Sequence, residues 1–327
     1  MKGKEISALL GYRESIRVLD CTLRDGGLCN DHQFDDDFVK ALYLTNIRAG
    51  VDYMELGYKG SAELFSKEKY GKWKFTDDED IQRIIGDNKD TGLKLAAMAD
   101  VGRCDFKNDI LPKSESSIDL IRVATYVNTI PAAIEMIEDA KEKGYEVSCN
   151  IMAVSGAQEG DIRVALDMLG KSSVDIIYIV DSFGSMYPEQ LARFAAIYNE
   201  VADMYGKKLG MHAHNNQQLA FANTIEAAGD GIDYLDATYG GLGRGAGNCP
   251  MENLLGLLKN PKYNFFPVIQ FVQDHVYPLR DKGVKWGYDM QYLMTGILNQ
   301  HPRTAIAFSK EGRTDFTEFY KELIAQD

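Results

Sequence analysis

Eight short runs rich in β-branched and apolar residues recur along this chain, and longer amphipathic stretches separate them. The runs are Ile16–Asp20, Val51–Leu56, Leu93–Met98, Leu120–Thr125, Glu146–Met152, Asp175–Val180, Leu209–His214 and Tyr234–Ala237. Several of the intervening stretches carry helical punctuation. Asp35–Ala49 opens on three acids, which suit the positive end of a helix. Pro131–Lys143 and Pro188–Tyr205 begin with proline and stop before Gly144 and Gly206. Asn216–Ala228 stops at Gly229. Strands alternating with helices join through right-handed crossovers into a parallel sheet. Eight such units over about 255 residues fit the α/β class, as a closed (β/α)8 TIM barrel rather than an open doubly wound sheet. Periodicity is blind to closure, so the open sheet stands as the alternative.

The chain has 327 residues. The reading places the barrel in residues 1–258 and a small helical C-terminal subdomain in 259–327, with Asn260–Pro261 at the boundary. Lys plus Arg is 36 against 49 for Asp plus Glu, a formal net charge of −13. A nucleic-acid binder shows a basic stripe and an anionic membrane surface also wants cations. Neither is present, so no nucleic acid and no membrane is expected as partner. Acidity does not exclude an anionic substrate, because one metal or one Arg suffices to hold it. The five cysteines are scattered without a CxxC pair, which predicts neither a disulfide framework nor a zinc knuckle. The N-terminal residues lack the apolar stretch of a signal peptide. The longest apolar runs, such as Ile176 to Val180, fall far below the ~20 residues of a membrane span. The expectation is a soluble, reduced, cytoplasmic protein.

In a barrel the chemistry gathers where the strands end. The first run leads into Thr22-Leu23-Arg24-Asp25-Gly26-Gly27, and the second ends in Glu55-Leu56-Gly57-Tyr58. The sixth leads to Asp181-Ser182, the seventh to His212-Ala213-His214-Asn215-Asn216, and the eighth to Gly241-Leu242-Gly243-Arg244-Gly245-Ala246-Gly247-Asn248. His212 and His214, two apart on a strand, share a face. Two imidazoles side by side make a poor core and good metal ligands, although an exposed polar pair at a strand end has the same spacing. Two histidines plus one carboxylate suit Mn²⁺, Fe²⁺, Co²⁺ or Mg²⁺. Closure would bring Asp25 beside them as third ligand; a turn aspartate before Gly26 is the plainer role. Arg24 would hold a carboxylate or an enolate oxygen, or else form an ion pair. Glu55 lies in an apolar strand where an unpaired carboxylate is expensive, which assigns it to orienting Arg24. The glycine run is a weak dinucleotide motif; glycines also let a backbone pass close to a metal. Asn248 would offer its carbonyl oxygen to the ion, or cap the helix near Pro250.

In this order, the motifs over residues 16–258 resemble the HMG-CoA lyase-like (DRE-TIM) metallolyase superfamily. That superfamily contains 4-hydroxy-2-oxovalerate aldolase, 3-hydroxy-3-methylglutaryl-CoA lyase and 2-isopropylmalate synthase. The residues are TLRDGG (22–27), MELG (54–57), the DS pair (181–182), HAHNN (212–216) and GLGRGAGN (241–248). The compact last loop and the helical tail resemble the aldolase branch. The resemblance implies a class II aldolase acting on a 4-hydroxy-2-oxo acid through a pyruvate-type enolate. It implies a divalent cation, Mn²⁺ or Mg²⁺ before Co²⁺ or Zn²⁺, held by Asp25, His212 and His214 with Asn248 near or bound. It gives Arg24 the enolate, Ser182 the 2-oxo acid, and Tyr288 the closing of the site, with Tyr292 as second candidate. It also implies a homo-oligomer; docking of an aldehyde dehydrogenase onto the tail is left open. One departure stands out: the aldolase has a catalytic histidine three residues after the motif aspartate, and this chain has Leu28. His32, Tyr58 or a metal-bound water would then replace the base. Claisen-type chemistry on an acyl-CoA, and a metal-binding barrel without catalysis, are the alternatives.

Overall fold

The computed structural model describes residues 13–325. Eight parallel strands close on themselves in sequence order, with the last paired to the first. They are β1 (Arg17–Asp20), β2 (Tyr53–Tyr58), β3 (Lys94–Asp100), β4 (Leu120–Thr125), β5 (Glu146–Ile151), β6 (Ile176–Asp181), β7 (Lys208–Ala213) and β8 (Tyr234–Ala237). This is the (β/α)8 barrel, and the open sheet is excluded. Five anticipated runs end one or two residues too early or too late, as strand boundaries do when the last ladder bond is set by a neighbour rather than by the run itself. The stretch expected as a helix from Asn216 begins at Ala220. Its first residues instead turn beneath the barrel mouth, where Asn215 Oδ1 accepts from the Ala220 N–H at 3.1 Å.

Helices cover the outside of the strands. The helix Asp36–Ala49 buries Phe38, Val39 and Leu42 and ends at Gly50, whose φ of 74° supplies the left-handed cap. Pro188–Tyr205 ends the same way at Gly206. Most outward-facing strand side chains join one continuous apolar layer between sheet and helices, while the outward Asp20 accepts from Asn46 Nδ2 at 2.8 Å. The barrel interior holds a smaller cluster, including Leu19, Cys21, Tyr53, Ala96, Leu120, Ile176 and Tyr178. The period-two alternation of strands puts Glu55, Arg122, His212 and Asp236 in that interior as well. A register shift in β2 between Glu55 and Tyr58 re-aims the strand end, so Tyr58 also faces inward and packs on Met98 and Ala124.

The tail is helical over Phe265–Phe271, Tyr277–Asp281, Met290–Ile297, Arg303–Lys310 and Phe316–Ile324. Its first helix belongs to the barrel core: Phe271 meets Phe38 edge-on at 5.3 Å. The later helices form their own cluster of Tyr292, Ala305, Phe308, Phe319 and Leu323, which touches the barrel at Ala246. Among the described residues, no helix is long and apolar enough to cross a membrane.

Candidate active site

The C-terminal mouth of the barrel opens into a cavity of about 250 Å³. Arg24, Asp25, Leu28, Tyr58, Asp100, Ser182, His212, His214 and Arg244 are part of its wall. Asp25 sits in a single helical turn, Thr22–Gly26, that follows β1 directly and buries all five of its residues. His212 is on β7 and His214 just beyond it, both on the inward face. Asp25 Oδ2 lies 3.5 Å from His212 Nε2 and 3.8 Å from His214 Nε2. Ligands around one ion at bond lengths near 2.1 Å stand about 3 Å apart, so these three atoms need little movement to share one.

The surrounding hydrogen bonds bear on whether an ion fits. His212 Nδ1 donates to Asp236 Oδ2 at 2.9 Å, which leaves the Nε2 lone pair free, and that atom is buried without a partner. A carboxylate behind a ligating histidine is the usual support of a metal site. Asn248 Oδ1 is also buried and unpartnered, while its Nδ2 donates to Asp25 Oδ1 at 3.0 Å. Burial pushes the His214 pKa down to about 3, so the ring is a neutral ligand. Burial opposes ionisation of Asp25, but the imidazole and guanidinium groups around it prevail and hold its carboxyl well below the usual range. Cys21, His212 and Asp236 also converge. Burial pushes that thiol well above its ordinary value and His212 Nδ1 is already committed, so the cluster favours hydrogen bonding over ligation. The donor set at Asp25 therefore fits a divalent cation.

Arg24 is buried and forked. Its Nε donates to Glu55 Oε2 at 2.8 Å and its Nη1 to Asp25 Oδ2 at 2.5 Å. Glu55 orients it from below. Sequence reasoning did not single out Arg122, which lies one layer deeper and bridges Glu55 at 2.8 Å and Asp236 at 2.6 Å, beneath the Tyr178 ring at 4.5 Å. Its inward parity on an apolar strand was the available signal. Asp100 was also missed. It ends β3 on the inward side, its Oδ1 is buried without a partner, and burial raises its pKa against the pull of Lys74 and Arg103.

Other expected residues are placed differently. Ser182 lines the cavity and its Oγ accepts from the Ala153 N–H at 2.8 Å. His32 lies outside the cavity wall, in a left-handed turn, with its ring edge-on to Tyr58 at 5.4 Å. Burial takes its pKa to about 3, so it is a poor proton acceptor. Tyr288 is also outside and 57% exposed; the residue before it, Gly287, donates to the Gly245 carbonyl at 3.2 Å and carries a φ of 112° that swings the chain outward. Tyr292 is packed in the tail cluster. The tail instead supplies His301 and Arg303 to the wall.

The glycine loop passes close to the ligands. A Cβ on Gly243 would lie 2.0 Å from Asn248 Nδ2 and 2.8 Å from Asp25 Oδ1. Gly243→Ala is expected to displace both and weaken divalent-ion affinity about 10- to 100-fold, as read by calorimetric titration with Mn²⁺. An unchanged affinity would show that the ligands do not depend on this close approach.

A barrel whose mouth joins an acid, two histidines and a carboxylate-braced arginine defines an enzyme of carbon–carbon lyase type. The family model described as HMGL-like matches residues 15–275, and the chain belongs to that family. Over 252 residues it is 32% identical to a Mycobacterium tuberculosis protein named oxaloacetate decarboxylase, covering 76% of this chain and 71% of the relative. It is 31% identical to the 4-hydroxy-2-oxovalerate aldolase of Pelotomaculum thermopropionicum, with the same coverages. Among solved structures it is similar to the N-terminal domain of a candidate aldolase from Bacteroides vulgatus, with a TM-score of 0.79 and 29% identity over 90% of this chain and 96% of that one. The carboxyl transferase domain of Rhizobium etli pyruvate carboxylase shares the fold, with a TM-score of 0.68 at 15% identity over 94% of this chain and 56% of that one.

Proposed function

We propose that this chain is a class II aldolase that cleaves or forms a carbon–carbon bond of a 4-hydroxy-2-oxo acid through a pyruvate-type enolate. The observation that carries this reading is the convergence of Asp25, His212, His214 and Arg24 on one cavity. Asp25, His212 and His214 would hold Mn²⁺ or Mg²⁺, with Asn248 Oδ1 next to them. Bound there, the ion supplies Lewis-acid polarisation of the 2-oxo carboxylate. Arg24 places a fixed positive charge where the enolate oxygen develops; such a group is commonly worth about 3 kcal/mol of barrier. Glu55 and Asp25 hold its fork, so little reorganisation is needed.

Leu28 lines the cavity where the aldolase motif has a histidine, so the proton acceptor must come from elsewhere. Asp100 lines the same cavity, and burial raises its pKa above the ordinary carboxylate value. It takes the proton of the 4-hydroxyl; the oxygen pair forms the aldehyde C=O, the C3–C4 bond breaks, and its electrons pass into the pyruvate enolate. The enolate carbon then takes a proton and becomes the methyl group. Tyr58 stays protonated, because burial raises its pKa, and donates to the substrate oxygen opposite Asp100.

Leu28 also favours a second reading, loss of CO₂ from a 2-oxo dicarboxylate, since that reaction needs no acceptor for a hydroxyl proton. Asp100→Asn separates the two. Aldol cleavage should fall about 10²- to 10⁴-fold. The wild-type rate should fall as pH drops through the Asp100 pKa, above the usual carboxylate value, and the variant should lose that limb. Decarboxylation would survive the substitution. Cleavage that persists in metal-free protein would overturn the aldolase reading.

A further inference from the structure

The cavity has a second charged pole that the aldol step leaves unused. Arg244 lies in the glycine loop after β8. Its guanidinium donates to the Ser182 carbonyl at 3.2 Å and reaches His301 Nε2 at 3.4 Å, and its Nε is buried with no acceptor. Arg303 opens the tail helix Arg303–Lys310 and lines the same cavity. Among the described residues no carboxylate comes within 4.0 Å of either guanidinium.

His301 sharpens the imbalance. Its Nδ1 accepts the Arg303 backbone N–H at 3.1 Å while its Nε2 faces Arg244 Nη1. A neutral imidazole has one acceptor nitrogen and one N–H, so with Nδ1 accepting, the Nε2–H stands against the Arg244 donor. Burial and the two arginines lower the His301 pKa to about 4, which keeps the ring neutral. Arg24 is matched by Asp25 and Glu55, and the Lys74 ammonium sits over the Tyr58 and Phe65 rings. The buried Arg244 Nε without an acceptor, beside a second arginine and an imidazole N–H, makes a donor set that an anion would complete.

We propose that Arg244, His301 and Arg303 form a binding site for a carboxylate or phosphate on the aldehyde half of the substrate. The assignment to the aldehyde half rests on the aldolase reading. Ion pairing stabilises a bound carboxylate as it stands and opposes its loss as CO₂, so this pole holds a retained group and not a leaving one.

Three aldehydes condensed with pyruvate test the site: neutral acetaldehyde, succinic semialdehyde with its carboxylate, and glyceraldehyde 3-phosphate. One of the two anionic aldehydes should exceed acetaldehyde in kcat/KM by about tenfold or more, and which one does so identifies the anion. Arg303→Gln and Arg244→Gln should each lower that ratio about ten- to a hundredfold, mainly through KM. Equal kcat/KM for acetaldehyde, or a ratio unmoved in both variants, overturns the site. Competition by free coenzyme A that Arg303→Gln relieves would also overturn it, in favour of an acyl-CoA partner. Deuterium exchange into the pyruvate methyl group, which needs no aldehyde, reports on the aldolase reading separately. If exchange is absent that reading fails, and calorimetric titration with succinate and inorganic phosphate then judges the site. Binding of either, weakened about tenfold or more in Arg303→Gln, supports it, and no binding refutes it.

Discussion

His212→Ala is expected to lower turnover at least about a thousandfold, the scale of several kcal/mol of lost Lewis-acid stabilisation. The substitution removes the Nε2 atom that faces Asp25 at 3.5 Å. It also strips Asp236 of its hydrogen-bond partner, leaving that carboxylate to Arg122 alone. Both effects would act on the proposed ion site. Mn²⁺ affinity, measured by calorimetry on the folded variant, should fall together with the rate. A variant that binds Mn²⁺ within about threefold of the native protein would remove His212 from the ligand set. His32→Ala provides the contrast, because His32 lies behind Tyr58 and outside the cavity.

The second large effect concerns stability. Arg122→Met should cost about 3–5 kcal/mol, the range for a buried charge deprived of its partner. Arg122 is fully buried and compensates Glu55 and Asp236 together. Glu55 retains Arg24 after the change, whereas Asp236 retains only His212. That carboxylate would then draw a proton onto His212 and compete with the ion for Nε2. Urea denaturation with and without Mn²⁺ reads both consequences: a lower midpoint, and a smaller stabilisation by the ion. A loss below about 1 kcal/mol would mean that Arg24 and His212 suffice to compensate the two acids.

These expectations depend on features of unequal visibility in the sequence. The strands were legible because each is a short apolar run between glycine, proline or acidic punctuation, and that pattern is local. Leu120–Thr125 and Tyr234–Ala237 match their runs to the residue. The histidine pair was legible for a similar reason: parity on a strand puts His212 and His214 on one face whatever the rest of the chain does. Glu55 was assigned to Arg24 because an isolated carboxylate in an apolar strand demands a partner. Arg122 presents the same problem in β4, and its partners come from β2 and β8, so no local reading could supply them.

Asp100, Tyr288 and His301 show where local reading stops. Asp100 lies two residues beyond the run Leu93–Met98; its significance comes from burial and an orphaned oxygen, both properties of the closed barrel. The tail tyrosine was placed by resemblance, and a glycine turn carries it outward. His301 sits in a segment without strand parity, and only packing of the tail on the β6 and β8 loops brings it to Arg244. The chain by itself determined the eight-fold alternation, the inward faces, and the residue types able to hold a divalent ion, because these follow from backbone period and side-chain chemistry. Tertiary closure alone decided which acids and cations meet, since an ion pair or a proton acceptor depends on distances and desolvation between residues up to two hundred positions apart.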